Sequence, residues 1–552
     1  MKISTIPQIY RHANRWREII TILSRYGLAG WISRFDIPLV KGILKTREGE
    51  VLTQLSRETR IRLAIEELGP SFIKLGQILS TRPDQVGMAL AQELQKLQTD
   101  VPGDDAATAR ATIEAELERP LDELFNDFDP TPLASASIGQ VHRARLPDGA
   151  DVVVKVQHAG IARRMEVDLD ILAGLAQLAE GIPELEPYRP VATVAEFRRV
   201  VRRELDFARE ARNLEQFARN FRSNPHVRIP RCYPELSTDR ALTMEFLDGA
   251  RFSDPALHRN AEIDLTTVAR HGAEIYLEMI FRHGFYHGDP HPGNLVLLAD
   301  GSIGLLDFGM VGRLDESLRE AIENMLLAIV TQDAQQLTSL VIRLGAVPAG
   351  LDEAALSVDL TEFVVHYANQ PVDDFDLGGA LTEMVEIIQR YHIALPSSLA
   401  MLIKVLVMLE GTGRLLAPRF SLMELIQPYQ QKMWRRRMSP ARQMKKLRRI
   451  YSEMEQLVEI LPRRLRDILQ QVESGKFDVH LDHRGLEPSV NRLVLGMLTS
   501  ALFLGSTLLV AQDVWPFHGA SVPGVVGIAL SLALGLRLLR AISKSGRLDR
   551  RK

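Results

Sequence analysis

The sequence predicts an α+β protein of two lobes, with a helical extension before them and an apolar helical pair after them. Three observations predict it. Strand-type runs are few and local: "PLASASIGQVHRARLPDGADVVVKVQ" with a turn at Asp148-Gly149, then "ALTMEFLDG" over 241–249, then a small region around 285–308. Helical periodicity fills most of the rest, at 61–98, 105–118, 161–220, 262–282 and 315–345, and onward to about 417. Two uncharged runs complete the pattern, 19 residues at 493–511 and 17 at 520–536.

The boundaries this organisation implies are N-terminal helices over 1–60, a helical extension over 61–125, and a first lobe with a helical insertion over 126–248. A second lobe covers 249–420, a basic helical linker 421–490, a membrane hairpin 491–540 and a basic tail 541–552. At 552 residues, more than one core is the default. The 46% hydrophobic and 25% charged composition is that of a folded protein. A net charge of −3 gives no global pull toward nucleic acid. The single cysteine, Cys232, excludes an internal disulfide framework and a cysteine-based zinc site, which fits a reducing, cytosol-facing body.

The stretch "EIITILSRYGLAGWI" is broken by Arg25 and lacks a cleavage-like end, so it reads as an amphipathic helix on the body or on a membrane. Each C-terminal apolar run is close to the ~20 residues that cross a bilayer as a helix. Their connector, "QDVWPFHG", holds Trp515 and no Lys or Arg, whereas seven Lys/Arg come after the second run: Arg537, Arg540, Lys544, Arg547, Arg550, Arg551 and Lys552. This asymmetry puts both termini and the body in the cytoplasm of a bacterial inner membrane protein. Gly527, Ser531 and Gly535 fall on one face, suited to close helix contact and to a homodimer. Residues 432–452 carry nine Lys/Arg and no Asp or Glu. A solvated helix face would explain them, but beside a membrane anchor they are expected to meet anionic lipid headgroups. No aromatic stacking platform accompanies them, so nucleic acid is not an expected partner.

The densest chemistry lies in "FYHGDPHPGNLVL" (285–297). A zinc site from His283, His287, His291 and Asp289 lacks the HExxH form, and the prolines break any helix that would align the ligands. A structural turn explains the prolines and glycines but not the residues downstream. Eighteen residues after Asp289 stands Asp307-Phe308-Gly309. Asp, then Asn294 five residues on, then Asp-Phe-Gly after a hairpin is the order of a kinase active site. Phosphoryl transfer needs an oriented nucleophile and neutralised phosphate charge. Asp289 would orient or deprotonate the acceptor, while Asn294 and Asp307 would hold Mg²⁺ through hard oxygen atoms. Upstream, the strand "ADVVVKVQ" supplies Lys155 for the α- and β-phosphates of ATP or ADP. "RRELDFAREARN" offers Glu204, Asp206 and Glu210 as its ion-pair partners. Backbone around Glu245 to Leu247 would meet adenine. The loop before Lys155 departs from the glycine-rich form. "ASASIGQV" spans Ala134, Ser135, Ala136, Ser137, Ile138, Gly139 and Val141 with one glycine. Alanine and serine restrict positive φ, so this loop should be stiffer than its glycine-rich counterpart.

These motifs, together with "KLGQ" (Lys74, Gly76, Gln77) and "LQTDVP" (Gln98, Asp100), resemble the UbiB or ABC1 family of atypical protein-kinase-like proteins. The resemblance spans roughly 60 to 420, and the apolar hairpin is similar to the bacterial UbiB form. It implies a bilobal protein-kinase-like fold with an N-terminal extension. In it, Lys74 reaches over the active site to Glu204 and Asp206, leaving Glu210 to pair with Lys155. It also implies Mg-ATP binding, ATPase activity, membrane association and support of ubiquinone biosynthesis, with quinone-biosynthesis enzymes and apolar precursors as partners. From the residues alone, Lys74 and Gln77 share a helix face at i, i+3, where solvent exposure would explain them equally well. Two other functions fit the motifs: a kinase acting on protein or a small molecule, and a non-enzymatic, nucleotide-gated scaffold.

Overall fold

A computed structural model describes residues 13–28, 55–97, 103–180, 189–259, 263–348, 350–368, 370, 375–426, 444, 454, 487–512, 514–517 and 520–544. Gln98, Asp100, nearly all of the basic stretch 432–452 and the tail arginines from Arg547 onward lie outside the described residues. The chain divides into two units, Met1–Ser439 and Pro440–Lys552.

In the first unit, α1 (Ala13–Arg25) lies on the protein body. It buries Trp16, Ile19, Ile20 and Ile22 against α2 (Arg57–Leu68) and α3 (Pro70–Ser80). Arg15 pins it by donating to both Asp168 carboxylate oxygens at 2.7 and 3.1 Å. Ser56 caps α2 through the Thr59 N–H, and Pro70 opens α3 where a missing N–H is tolerated. Short helices α4 (Pro83–Val86) and α5 (Met88–Leu94) come next, then α6 (Ala106–Leu117) and α7 (Leu121–Leu124).

The first lobe is built on an antiparallel sheet. β1 (Asp127–Phe128), β3 (Gly139–Arg145), β4 (Asp151–Gln157) and β6 (Ala241–Glu245) run in that order, and β2 (Ala134–Ser135) also pairs with β3. The expected turn is present, with Gly149 at φ 88°. The period of two in β4 sends Val152, Val154 and Val156 into a core with Ile113, Leu121 and Leu124. Lys155 therefore points to the opposite face. The insertion forms α8 (Ile161–Ala179), α9 (Pro190–Glu204) and α10 (Phe207–Asn220).

In the second lobe β5 (Val227–Arg228), β10 (Ile303–Leu305), β9 (Leu295–Leu298) and β7 (Gly249–Arg251) form one sheet. β8 (Phe285–His287) pairs with β11 (Val311–Arg313). The helices are α11 (Pro255–Arg259), α12 (Leu265–Leu277), α13 (Glu316–Val330), α14 (Ala334–Leu344), α15 (Glu353–Ala368), α16 (Leu377–Arg390) and α17 (Ser397–Leu416). The single helix expected over 315–345 is two. Gln332 turns left-handed at φ 56°, and Asp333 restarts the chain as the cap of α14, accepting the Gln336 N–H at 2.8 Å.

The extension is tied to this lobe by a buried set. Arg82 donates to Asp84 at 2.8 and 3.0 Å and to the Leu395 carbonyl at 3.1 Å, while the Leu395 N–H donates to Asp84 at 3.2 Å.

The second unit contains α18 (Glu487–Ala511) and α19 (Val522–Lys544), joined through β12 (Pro516–Phe517) and β13 (Ala520–Ser521). Both helices are long and apolar enough to cross a membrane, over Leu493–Ala511 and Val522–Arg540. Leu498, Leu504, Val526 and Leu536 are exposed, unlike the side chains of a soluble core helix. The small-residue face of α19 serves the hairpin itself. A side chain at Gly524 would collide with Val510, one at Gly527 would collide with Ser506, and Ser531 is buried.

Candidate active site

Lys155 stands at the centre of the cleft-facing side of β4. Its Nζ donates to both Glu210 oxygens at 2.9 and 2.8 Å and lies 3.5 Å from Asp307 Oδ1. Glu210 comes from α10, whose start is fixed by Asp206 accepting the Arg209 N–H at 3.1 Å. Burial opposes the charge on Lys155, yet Asp307 and Glu210 outweigh it and raise the ammonium pKa. Burial pushes the Glu210 carboxyl upward, while Lys155 and the Phe308 N–H, 3.2 Å away, pull against it. Asp307 is held well below the usual carboxylate range, first by Lys155 and then, against burial, by the Gly309 N–H at 3.0 Å.

Asp307 has φ 55°, a left-handed conformation that aspartate tolerates better than most residues and that its bond to Gly309 closes into a local turn. Phe308 is fully buried, against Phe217 at 5.4 Å and His287 at 5.8 Å, and its carbonyl accepts from Asn213 at 3.0 Å. The DFG segment is thus locked to α10, the helix that carries Glu210.

Across from it, Asn294 donates its amide to the Asp289 carboxylate at 3.0 Å and to the Asp289 carbonyl at 3.2 Å. That leaves the Asn294 side-chain oxygen free to ligate. With the exposed Asp307 carboxylate, the donor set is hard oxygen, which fits Mg²⁺ and not a soft metal.

The first-lobe loop is folded back on β3, Ala134 opposite Val141 and Ser135 opposite Gln140. Ala134 and Ala136 are exposed, Ser137 and Ile138 buried. None of residues 134–138 has positive φ. Gly139 also has a packing role. A Cβ there would run into the Val156 carbonyl, so this glycine serves close strand packing. His158 clamps the loop, its Nε2 bonding the Ala136 carbonyl at 2.9 Å and its N–H donating to the Ile138 carbonyl at 2.9 Å. At the hinge, the Glu245 carboxylate turns to Arg228 at 2.6 Å and to the Arg231 N–H at 2.9 Å. Leu247 keeps both backbone polar groups unpaired among the described residues.

The extension brings Lys74, on α3, into a buried ion pair with Glu204 at the end of α9, and near enough to Asp307 to lower its pKa. Gln77, one turn on, is half-buried. The expected second contact of Lys74 is absent among the described residues. Asp206 is engaged as the α10 cap and by Arg212 at 3.2 Å.

Two residues of this site have roles that sequence reasoning missed. His287 is fully buried, and its Nε2 faces the Leu306 and Asp307 carbonyls at 3.0 and 2.6 Å, while its Nδ1 accepts the Asp289 N–H at 3.2 Å. Two carbonyl partners require the proton on Nε2. His287 thus joins the Asp289 loop to the DFG segment and is no metal ligand. Lys404, on α17, reaches Asp289 Oδ1 at 3.6 Å with its side chain almost buried. No local signal marks a lysine so distant in sequence. Thr412 of the same helix bonds the Pro290 carbonyl at 3.2 Å.

Comparison with known proteins agrees with this layout. Residues 96–341 match the ABC1 atypical kinase-like domain, 360–421 the UbiB helical domain and 480–544 the ABC1/UbiB kinase-like C-terminal domain. A probable protein kinase UbiB from Marinobacter nauticus is 36% identical over 429 residues, 76% of this chain and 78% of that one. Its counterpart from Pseudomonas putida is 33% identical over 552 residues, 98% and 99% of the two chains. An uncharacterised protein encoded in the hydrogenase 1 5′ region of Clostridium pasteurianum is 30% identical over 547 residues, 97% and 99% of the two.

Proposed function

The chain belongs to the UbiB/ABC1 family of atypical kinase-like proteins, and from that premise we propose that it binds Mg-ATP between its lobes and turns it over in support of ubiquinone biosynthesis. The observation that carries the reading is the cluster in which Lys155 lies 2.8 Å from Glu210 and 3.5 Å from Asp307. Lys155 is held charged and aimed for the α- and β-phosphates, with Leu247 backbone for the base and the 134–139 loop above. Asp307 and the Asn294 oxygen would hold Mg²⁺, which supplies charge neutralisation on the phosphates. Asp289 orients the attacking hydroxyl or water, and Lys404, 3.6 Å from Oδ1, holds its carboxylate in place.

The extension bears on the acceptor. Lys74 sits within electrostatic reach of Asp307, and its ion pair with Glu204 is buried, which favours a small acceptor over a polypeptide chain. Water or an apolar quinone precursor suits the site better. The relatives named UbiB support the pathway. The two apolar helices, with Arg537, Arg540 and Lys544 at the end of the second, support an inner-membrane location with the catalytic body cytoplasmic.

The test is ATP hydrolysis by the full-length protein with Mg²⁺, in anionic liposomes and with phenolic precursor mimics. Stimulation by lipid and phenol, lost in Asp307→Asn, is the expected result. A strain whose only copy is Asp307→Asn and which makes quinone normally would sink the proposal.

A further inference from the structure

Away from the nucleotide site, one concave surface carries a charge imbalance. α9 and the start of α10 line a cavity of about 440 Å³ with Arg198, Arg199, Arg202, Arg203, Asp206 and Arg209. Two of these arginines are neutralised by α8: Arg198 donates to Asp170 at 2.7 Å and Arg202 to Glu166 at 2.8 Å. Asp206, the carboxylate of the lining, is already engaged by the Arg209 N–H and by Arg212. Arg199, Arg203 and Arg209 have no ion-pair partner among the described residues. Arg313, on β11 just past the DFG segment, has its guanidinium over the Phe285 ring at 4.9 Å and no carboxylate partner among the described residues either. Burial, and then Arg203, Arg313 and Arg212, pull the Arg209 pKa below its ordinary value.

Arg199 and Arg203 are spaced i, i+4 on one helix, where like charges destabilise it. A fold that concentrates unpaired guanidinium groups around a cavity gains from an anion that bridges them. The planar guanidinium fork matches phosphate oxygens in pairs. We propose that this groove binds a phosphoryl oxyanion, either of a lipid headgroup or of a free phosphate compound, through Arg199, Arg203 and Arg209. Asp206 and Arg209 lie within one turn of Glu210, so the groove and the Lys155–Glu210 pair share a helix. The inference does not rest on ATP turnover.

The test uses the full chain in an uncharged detergent. Arginine modification by phenylglyoxal is followed by mass spectrometry, with exposed Arg17 as the internal reference. The probes are inorganic pyrophosphate and short-chain phosphatidylglycerol, against short-chain phosphatidylcholine and sodium chloride at matched ionic strength. Several-fold slower modification at Arg199, Arg203 and Arg209 is expected with an anionic probe. Protection by both probes assigns a general phosphate site, and protection by the lipid alone assigns a headgroup site. Protection by neither, or protection equal to that at Arg17, overturns the proposal. In Arg199→Gln/Arg203→Gln, probe affinity should fall at least tenfold, on the order expected for lost charge-assisted bonds. ATP affinity should stay unchanged, which separates this site from the nucleotide reading. Unchanged probe affinity in that variant also overturns it.

Discussion

The loop at 134–139 and the segment at 287–309 face the same cleft from opposite lobes, and they are held by opposite means. The upper loop keeps its exposed residues in ordinary backbone without positive φ, clamps them from behind with His158, and uses its one glycine against β4. The lower segment stores its unusual conformation at Asp307, φ 55°, and fixes it through the buried His287 and the bond to Gly309. The contrast separates two tasks. Packing of the first lobe shapes a stiff cover, whereas local strain in the second aims a carboxylate.

The sharpest way to break this contrast is Asp307→Asn. Asparagine also tolerates positive φ, so the fold should survive, with the melting temperature lowered only by the lost attraction to Lys155. Hydrolysis should fall by ~10³ or more, the scale of losing a preorganised charge contact. Next comes Lys404→Met, which frees Asp289 from its cation. We expect a ~10²-fold loss in kcat, typical of a disturbed acid–base group, with nucleotide affinity unchanged in equilibrium titration. Lys74→Ala leaves Glu204 with a buried, unpaired charge and should cost ~3 kcal/mol in denaturant unfolding. Gly139→Ala tests the packing role of that glycine. Its Cβ meets the Val156 carbonyl, so ~1–3 kcal/mol of stability should go, and a neutral outcome would return the glycine to a phosphate role.

The smallest effect expected is that of pH. Asp307 has a depressed pKa, so its contribution is present above the unfolded value of ~3.9 and is lost as pH falls through the folded value. Lys155 has a raised pKa, so its contribution is present below ~10.4 and is lost as pH rises through the folded value. The stability these two groups supply should therefore be flat from about pH 6 to about pH 9, between those limits. A steep limb of denaturant stability in that window would show that another group titrates there.

Much of this was legible in the sequence because the relevant signals are local. The strand "ADVVVKVQ" singled out Lys155, which stands on the face of β4 opposite Val152, Val154 and Val156, and the Asp289–Asn294 spacing survives as a direct hydrogen bond. What stayed hidden depends on long-range packing or on competing uses of one side chain. Glu204 and Asp206 look equivalent in "ELD", but one ends a helix beside Lys74 and the other begins the next helix as its cap. His287 sits in a motif that invites a metal reading, and only its two carbonyl partners reveal a bridging role. Lys404 arrives from a helix that no spacing rule connects to Asp289.

The anchoring of the extension has a mechanical consequence. Lys74 grips Glu204 beside the first lobe, while Arg82 and Asp84 grip Leu395 in front of α17, only a few residues further along the same chain. A short tether fixed at both ends converts any widening of the gap between those points into tension. On the proposed function, a lobe opening that admits nucleotide would require one anchorage to let go, and the slower release would set the tempo of exchange.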